Sequence, residues 1–172
     1  GNPGDLEGLL KTNAIEAMIN FTAPTAHALS QKEYKMIYNI TDTWKKEKGA
    51  YLPINGWEAD AKWLDEHLEI AKNFIAGCDA GLEYLKTHLS DRYAGAKYAK
   101  FGEGEGVLVD KATTDAVDKM IKDDYFYLRA SVYTQAWADS VYEFIKLGEG
   151  VLLDPGKVPT KDKIFYAGTM YK

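Results

Sequence analysis

The stretch LDEHLEIAKNFIAGCDAGLEYLKTHL, residues 64–89, decides the fold class. Leu64, Leu68, Ala71, Phe74, Ile75, Cys78, Leu82, Leu85 and Leu89 return at steps of three and four residues. That spacing lines one face of an α-helix for about seven turns. Asn55 is placed to cap the start, with Glu58 three positions on, and the end is expected between Gly95 and Phe101. Gly77 and Gly81 lie inside the stripe. Each costs about 1 kcal/mol against Ala in a helix interior, which predicts a close helix approach or a bend there. Cys78 sits on the apolar stripe, so a buried, inert thiol is expected.

On the N-terminal side, Leu6, Leu10, Ala14, Ala17, Met18 and Phe21 predict a first helix from Asp5 to Phe21, with Pro24 interrupting after it. Ser30-Gln31-Lys32-Glu33 has the form of a capping box, which predicts a second helix with Met36, Ile37, Ile40 and Trp44 on its apolar face. Its end is marked by Lys45, Lys46 and Lys48 in the last turn, Gly49 as a left-handed cap and Pro53 beyond. On the C-terminal side, a fourth helix is expected from Asp110 to Leu147. It carries two apolar stripes, one of Val117, Ile121, Leu128, Val132 and Ala136, the other of Phe126, Tyr133, Trp137, Val141 and Phe144.

The resulting expectation is an all-α domain, an up-and-down four-helix bundle over residues 1–147 with an extended C-terminal tail over 148–172. The third and fourth helices, each about 50 Å long at 1.5 Å per residue, would pack antiparallel. Gly104-Glu105-Gly106-Val107-Leu108-Val109-Asp110 recurs as Gly148-Glu149-Gly150-Val151-Leu152-Leu153-Asp154, which reads as a repeated helix stop whose Val-Leu pair folds back onto the bundle end.

Composition excludes several functions. The 172 residues carry a net charge of −5 and a pI of about 5.3, against a nucleic-acid binder. No apolar run reaches the length of a membrane span. Only Arg92 and Arg129 stand among 21 basic residues, which leaves few carriers for bidentate phosphate or carboxylate clamps. A di-metal carboxylate bundle needs Glu three residues before His, and none of His27, His67 and His88 has it. No metal or cofactor is therefore expected. Gly102-Glu103-Gly104-Glu105-Gly106 is glycine-rich, but its carboxylates repel phosphate and no Lys-Ser or Lys-Thr follows. Asp123, Asp124 and Tyr127 form the one acid–base cluster that could be named for an enzyme; solvated helix-surface charge is the plainer reading. Asn20-Phe21-Thr22 and Asn39-Ile40-Thr41 match the glycosylation acceptor pattern.

Tyr127-Leu128-Arg129-Ala130-Ser131-Val132-Tyr133 resembles the Leu-Arg-Ala-Ser-Tyr stretch in a helix of the PsbQ family, extrinsic lumenal subunits of photosystem II. The resemblance implies a four-helix bundle without enzymatic activity, an irregular terminal segment, a docking role on photosystem II subunits and a thylakoid-lumen location.

The residues support the same class of function. The tail holds too few apolar residues for its own core, yet contains Ile164, Phe165, Tyr166, Met170 and Tyr171, and Lys157, Lys161 and Lys163 add local positive charge. Aromatics of this kind cover a surface, and lysines steer toward an acidic partner. The docking candidates are Lys157, Lys161, Lys163, Phe165, Tyr166 and Tyr171, with Tyr127 and Arg129 from the resembling segment. The alternative is a helical module that takes a small apolar ligand or pigment between Tyr125 and Trp137.

Overall fold

The structure is a computed structural model that describes residues 3–53, 56–89, 111–123 and 127–171. It is all-α: the described residues form eight α-helices and no strand, with one isolated bridge between Glu149 and Leu153. The helices are α1 (Pro3–Lys11), α2 (Thr22–Ser30), α3 (Ile40–Lys48), α4 (Ala61–Glu66), α5 (Leu68–Thr87), α6 (Lys111–Lys122), α7 (Gln135–Leu147) and α8 (Lys161–Ile164). They group into two compact units, one of Gly1–Ile37 with Gly81–Tyr127, the other of Tyr38–Ala80 with Leu128–Lys172.

In the first unit, α2 and α6 pack together around Ala26, Leu82, Val117 and Ile121, with Leu85, Leu89, Ala116, Met120 and Tyr127 at the edge of that core. α1 stops ten residues before Phe21, where a longer helix was expected. Asn13 takes a left-handed conformation (φ 55°), and the amides of Asn13 and Ala14 bond back to the carbonyls of Leu10 and Leu9. That is a Schellman end with Asn in place of Gly, which Asn tolerates better than other side chains. Pro24 does not interrupt a helix either. It lies in the first turn of α2, where an amide has no intrahelical partner and its loss costs nothing. Ser30, expected to open a helix, is the last residue of α2: its hydroxyl bonds the His27 carbonyl at 2.7 Å and meets the Thr113 hydroxyl at 3.2 Å.

The second unit begins its first helix at Asn39, whose side chain accepts the Asp42 amide. The expected end is found: lysines fill the last turn of α3, and Gly49 is left-handed (φ 76°) with its amide on the Lys45 carbonyl. Asp60 caps α4 by accepting the Trp63 amide at 3.0 Å. The expected seven-turn helix is divided at His67, whose ring stacks on Trp63 and whose Nδ1 lies 2.9 Å from the Trp63 carbonyl oxygen. Asn55 lies outside the described residues. Of the α5 stripe, Ala71 and Leu82 are buried and Ile75, Cys78 and Leu85 half-buried, but Phe74 is exposed. Cys78 is thus not fully buried, because it sits at the edge of the covered face. Among the described residues, no group outside α5's own backbone and the neighbouring residues lies within 4 Å of where a side chain on Gly77 or Gly81 would begin, so neither marks a close approach of a described helix.

The expected fourth helix is two helices, and members of its stripes join different cores. Val117 and Ile121 of α6 face the first unit; Tyr133, Trp137 and Val141 line the second. Between them, Arg129 is extended, Ala130–Val132 is a single 3-10 turn, and the Ala130 amide donates to both Asp79 carboxylate oxygens at 3.2 and 3.1 Å. Thr134 then caps α7 through the Trp137 amide. The helix that the resemblance implies over Tyr127–Tyr133 is accordingly absent. The longest described helix, α5, has 20 residues, about 30 Å where about 50 Å was expected.

Candidate docking surface

The second unit closes on a core rich in aromatic side chains. Ala138, Val141 and Phe165 are buried; Tyr133, Trp137, Ile164 and Met170 pack against them. The Trp137 ring meets Tyr133 at 5.4 Å and Phe165 at 5.8 Å, edge to face, and its Nε1–H donates to the Tyr51 carbonyl at 3.0 Å. Trp44 stands edge-on to Phe144 at 5.1 Å and donates to the buried Ser140 hydroxyl at 3.1 Å. Each of these two half-buried indoles therefore has its ring in apolar contact and its one donor satisfied.

The segment from Gly148 is built onto this core. Its first turn closes through the Leu152 and Leu153 amides on the Gly148 carbonyl, and the Glu149 carboxylate accepts the Gly156 amide at 2.5 Å. Val151 and Leu152 do not fold back as expected; the closed turn leaves them exposed. The matching sequence at Gly104–Asp110 lies outside the described residues. Farther on, the Tyr166 hydroxyl donates to Asp65 Oδ1 at 2.6 Å and the Tyr171 amide donates to the Tyr133 carbonyl at 2.8 Å. A side-chain carbon on Gly168 would lie 2.5 Å from the Tyr166 ring, so only glycine lets that ring lie where it does.

The predicted docking residues separate into two groups. Phe165 is 8% exposed and belongs to the core, so it fastens the segment and offers no surface to a partner. Tyr166 is half-buried and engaged with Asp65; that bond, made to its neutral hydroxyl, raises its pKa above the ordinary value. Lys161 ion-pairs with Asp139, which also accepts from Gln135, and together the two bonds hold the Asp139 carboxyl below its usual range. Lys157, Lys163 and Tyr171 are exposed. Tyr127 is half-buried against the core of the first unit, and Arg129 is half-buried just before the 3-10 turn of the second. Sequence reasoning missed Asp65 and Asp139, whose partners lie 101 and 22 positions away.

A groove of about 400 Å³ opens beside these contacts, lined by Asp65, Gln135, Lys161, Asp162, Tyr166 and Met170 among others. Its charged groups are largely matched within the chain, and the Thr160 hydroxyl lowers the Asp162 carboxyl further. The aromatics expected to hold an apolar ligand, Tyr133 and Trp137, pack on Phe165; Tyr125 and Phe126 lie outside the described residues. Burial raises the Tyr133 hydroxyl above its ordinary pKa, against the opposing pull of a bond to the Tyr166 backbone.

Elsewhere, Asp123 ion-pairs with Lys119, and Asp124 lies outside the described residues. His27 Nδ1 lies 2.6 Å from Glu7 Oε2, and His88 stacks on Tyr84. Among the described residues no three His, Cys, Asp or Glu side chains gather as a metal site, and no helix is long and apolar enough to cross a membrane. No family model, no curated protein and no solved structure matches this chain.

Proposed function

We propose that the chain is a non-enzymatic helical subunit that docks on a larger protein assembly and stabilises it. The observation that carries this reading is the division within Gly148–Tyr171. Ile164, Phe165 and Met170 pack on the core, while Lys157, Lys163 and Tyr171 remain at the surface. A segment fastened by its apolar residues presents its lysines without further ordering cost, which suits electrostatic docking on an acidic partner. The thylakoid lumen and a place on photosystem II enter as parts of the proposal, resting on the likeness in sequence at Tyr127–Tyr133.

The test is sedimentation of the chain with photosystem II core particles and, separately, recovery of a defined assembly from native material. The wild type is expected to be retained at low salt. Lys157→Glu with Lys163→Glu should release it at lower ionic strength while the far-ultraviolet circular dichroism stays unchanged. Retention by another assembly, but not by those particles, would remove the photosystem setting alone. Retention that ignores both the lysines and salt would remove this docking surface.

A further inference from the structure

The second unit carries an aromatic surface that its own core does not use. Trp57 is 65% exposed, Trp63 40%, Ile70 55% and Phe74 51%. They are contiguous: Trp63 stacks on the His67 ring at 4.9 Å, His67 and Ile70 are three positions apart and Ile70 and Phe74 four, and Phe74 meets Trp57 edge to face at 5.0 Å. Residues spaced by three and four on a helix are neighbours on one face. Trp and Phe are the side chains enriched at protein interfaces, and Trp dominates their energetics.

The stretch that carries this surface is net acidic. Glu58, Asp60, Asp65, Glu66 and Glu69 stand within the same stretch against Lys62 and Lys72, and those lysines already pair with Glu66 and Glu69. A second copy of the chain would bring the same carboxylates against these, and an anionic lipid surface would be repelled likewise. The ridge His67–Ile70–Phe74 spans two helical turns, the length along which a second helix seats apolar residues at i, i+3, i+4 and i+7.

We propose that Trp57, Trp63, Ile70 and Phe74 form a docking site for a basic amphipathic helix of a partner protein, its apolar face on the aromatic side chains and its Lys or Arg residues over the acidic residues of that stretch. The proposal does not rest on the lysines of the C-terminal segment.

The probe is a fluorescent 18-residue helical peptide of Leu and Lys, titrated with the full chain and read by anisotropy. A peptide with the same Leu positions and Glu in place of Lys is the control. The Leu/Lys peptide should bind, more weakly as salt rises, and the Leu/Glu peptide should not. Trp57→Ala with Phe74→Ala should weaken binding by about thirtyfold or more, the loss of one hot-spot contact. Both rings are exposed, so circular dichroism should be unchanged, and Trp57→Phe should restore much of the affinity. Glu58→Gln with Glu69→Gln should reduce the salt dependence, and Lys157→Glu with Lys163→Glu should not weaken binding. The proposal is overturned by no binding, by binding that ignores loss of the two rings, by equal binding of the Leu/Glu peptide, or by self-association of the wild type that the two-ring variant abolishes.

Discussion

The two units solve the same packing problem with different residues. The first closes α2 against α6 with Ala26, Val117 and Ile121, small or aliphatic side chains, and places the Ser30–Thr113 hydroxyl pair beside them. The second closes on aromatic rings, each indole tied at its nitrogen to a group at least 86 positions away. An aliphatic core specifies shape through volume alone. An aromatic core adds directional contacts and a donor that accepts few geometries, so it fixes which distant segments meet. That is how a C-terminal stretch with little apolar content is held: Phe165 enters the ring cluster, and the backbone around it is bonded to Tyr133.

The largest effect should come from breaking the aromatic core. Trp137→Ala removes two ring contacts and the bond to Tyr51, and should cost about 3–4 kcal/mol in urea unfolding followed by near-ultraviolet circular dichroism. Hydrogen exchange of the α6 amides should be little changed; equal loss of protection in α6 would show that the cores do not act separately. Ile121→Ala is the converse. It should cost about 2–4 kcal/mol, read as lost protection in α2 and α6 with the aromatic circular dichroism retained.

A smaller test concerns the end of α1. Asn13→Ala, forced into a left-handed conformation, should destabilise by about 1 kcal/mol or somewhat more, and Asn13→Gly should not. Thr113→Val keeps the buried volume but removes one of the Ser30 hydroxyl's partners, and should cost about 1 kcal/mol in thermal unfolding.

The pH dependence should set Glu7 of the first unit and Tyr133 of the second apart by sign. Burial acts to raise the Glu7 carboxyl, but the bonds to Lys11 and His27 outweigh it and hold it below its ordinary 4.5. The unfolded chain then takes up that proton first on acidification, so the stabilisation is whole above 4.5 and is lost as the pH falls through the lowered value. For Tyr133, raised by burial from 10.0, the stabilisation is whole below 10.0 and is lost as the pH climbs through the raised value. Glu7→Gln should flatten the acid limb of the melting profile and Tyr133→Phe the alkaline limb. The opposite assignment of limbs to residues would refute these two directions.

Helical class, the lysine-rich end of α3 with its Gly49 cap, and most of the α5 stripe were legible before any tertiary contact was known. Asn39 and Ser30 show where legibility ended. Both are good caps, yet Asn39 opens α3 while Ser30 ends α2, its hydroxyl on the His27 carbonyl and beside the Thr113 hydroxyl 83 positions away. The docking candidates were legible as residue types, but their exposure was not: Lys157 and Phe165 lie in the same segment and have opposite fates because one finds a ring cluster and the other does not.

The sequence by itself determined what depends on neighbours three or four residues away: helical periodicity, a glycine stop, the sign of charge along a segment. The tertiary structure decided where the long apolar patterns break and which core each fragment joins. Nothing in residues 122–135 is a Gly or a Pro, yet the backbone leaves the helix before Ala130, whose amide is taken by Asp79, 51 positions earlier. A local pattern states only that a helix is affordable there. Whether it continues depends on whether a distant side chain offers its amides a better partner and its apolar face a core to enter.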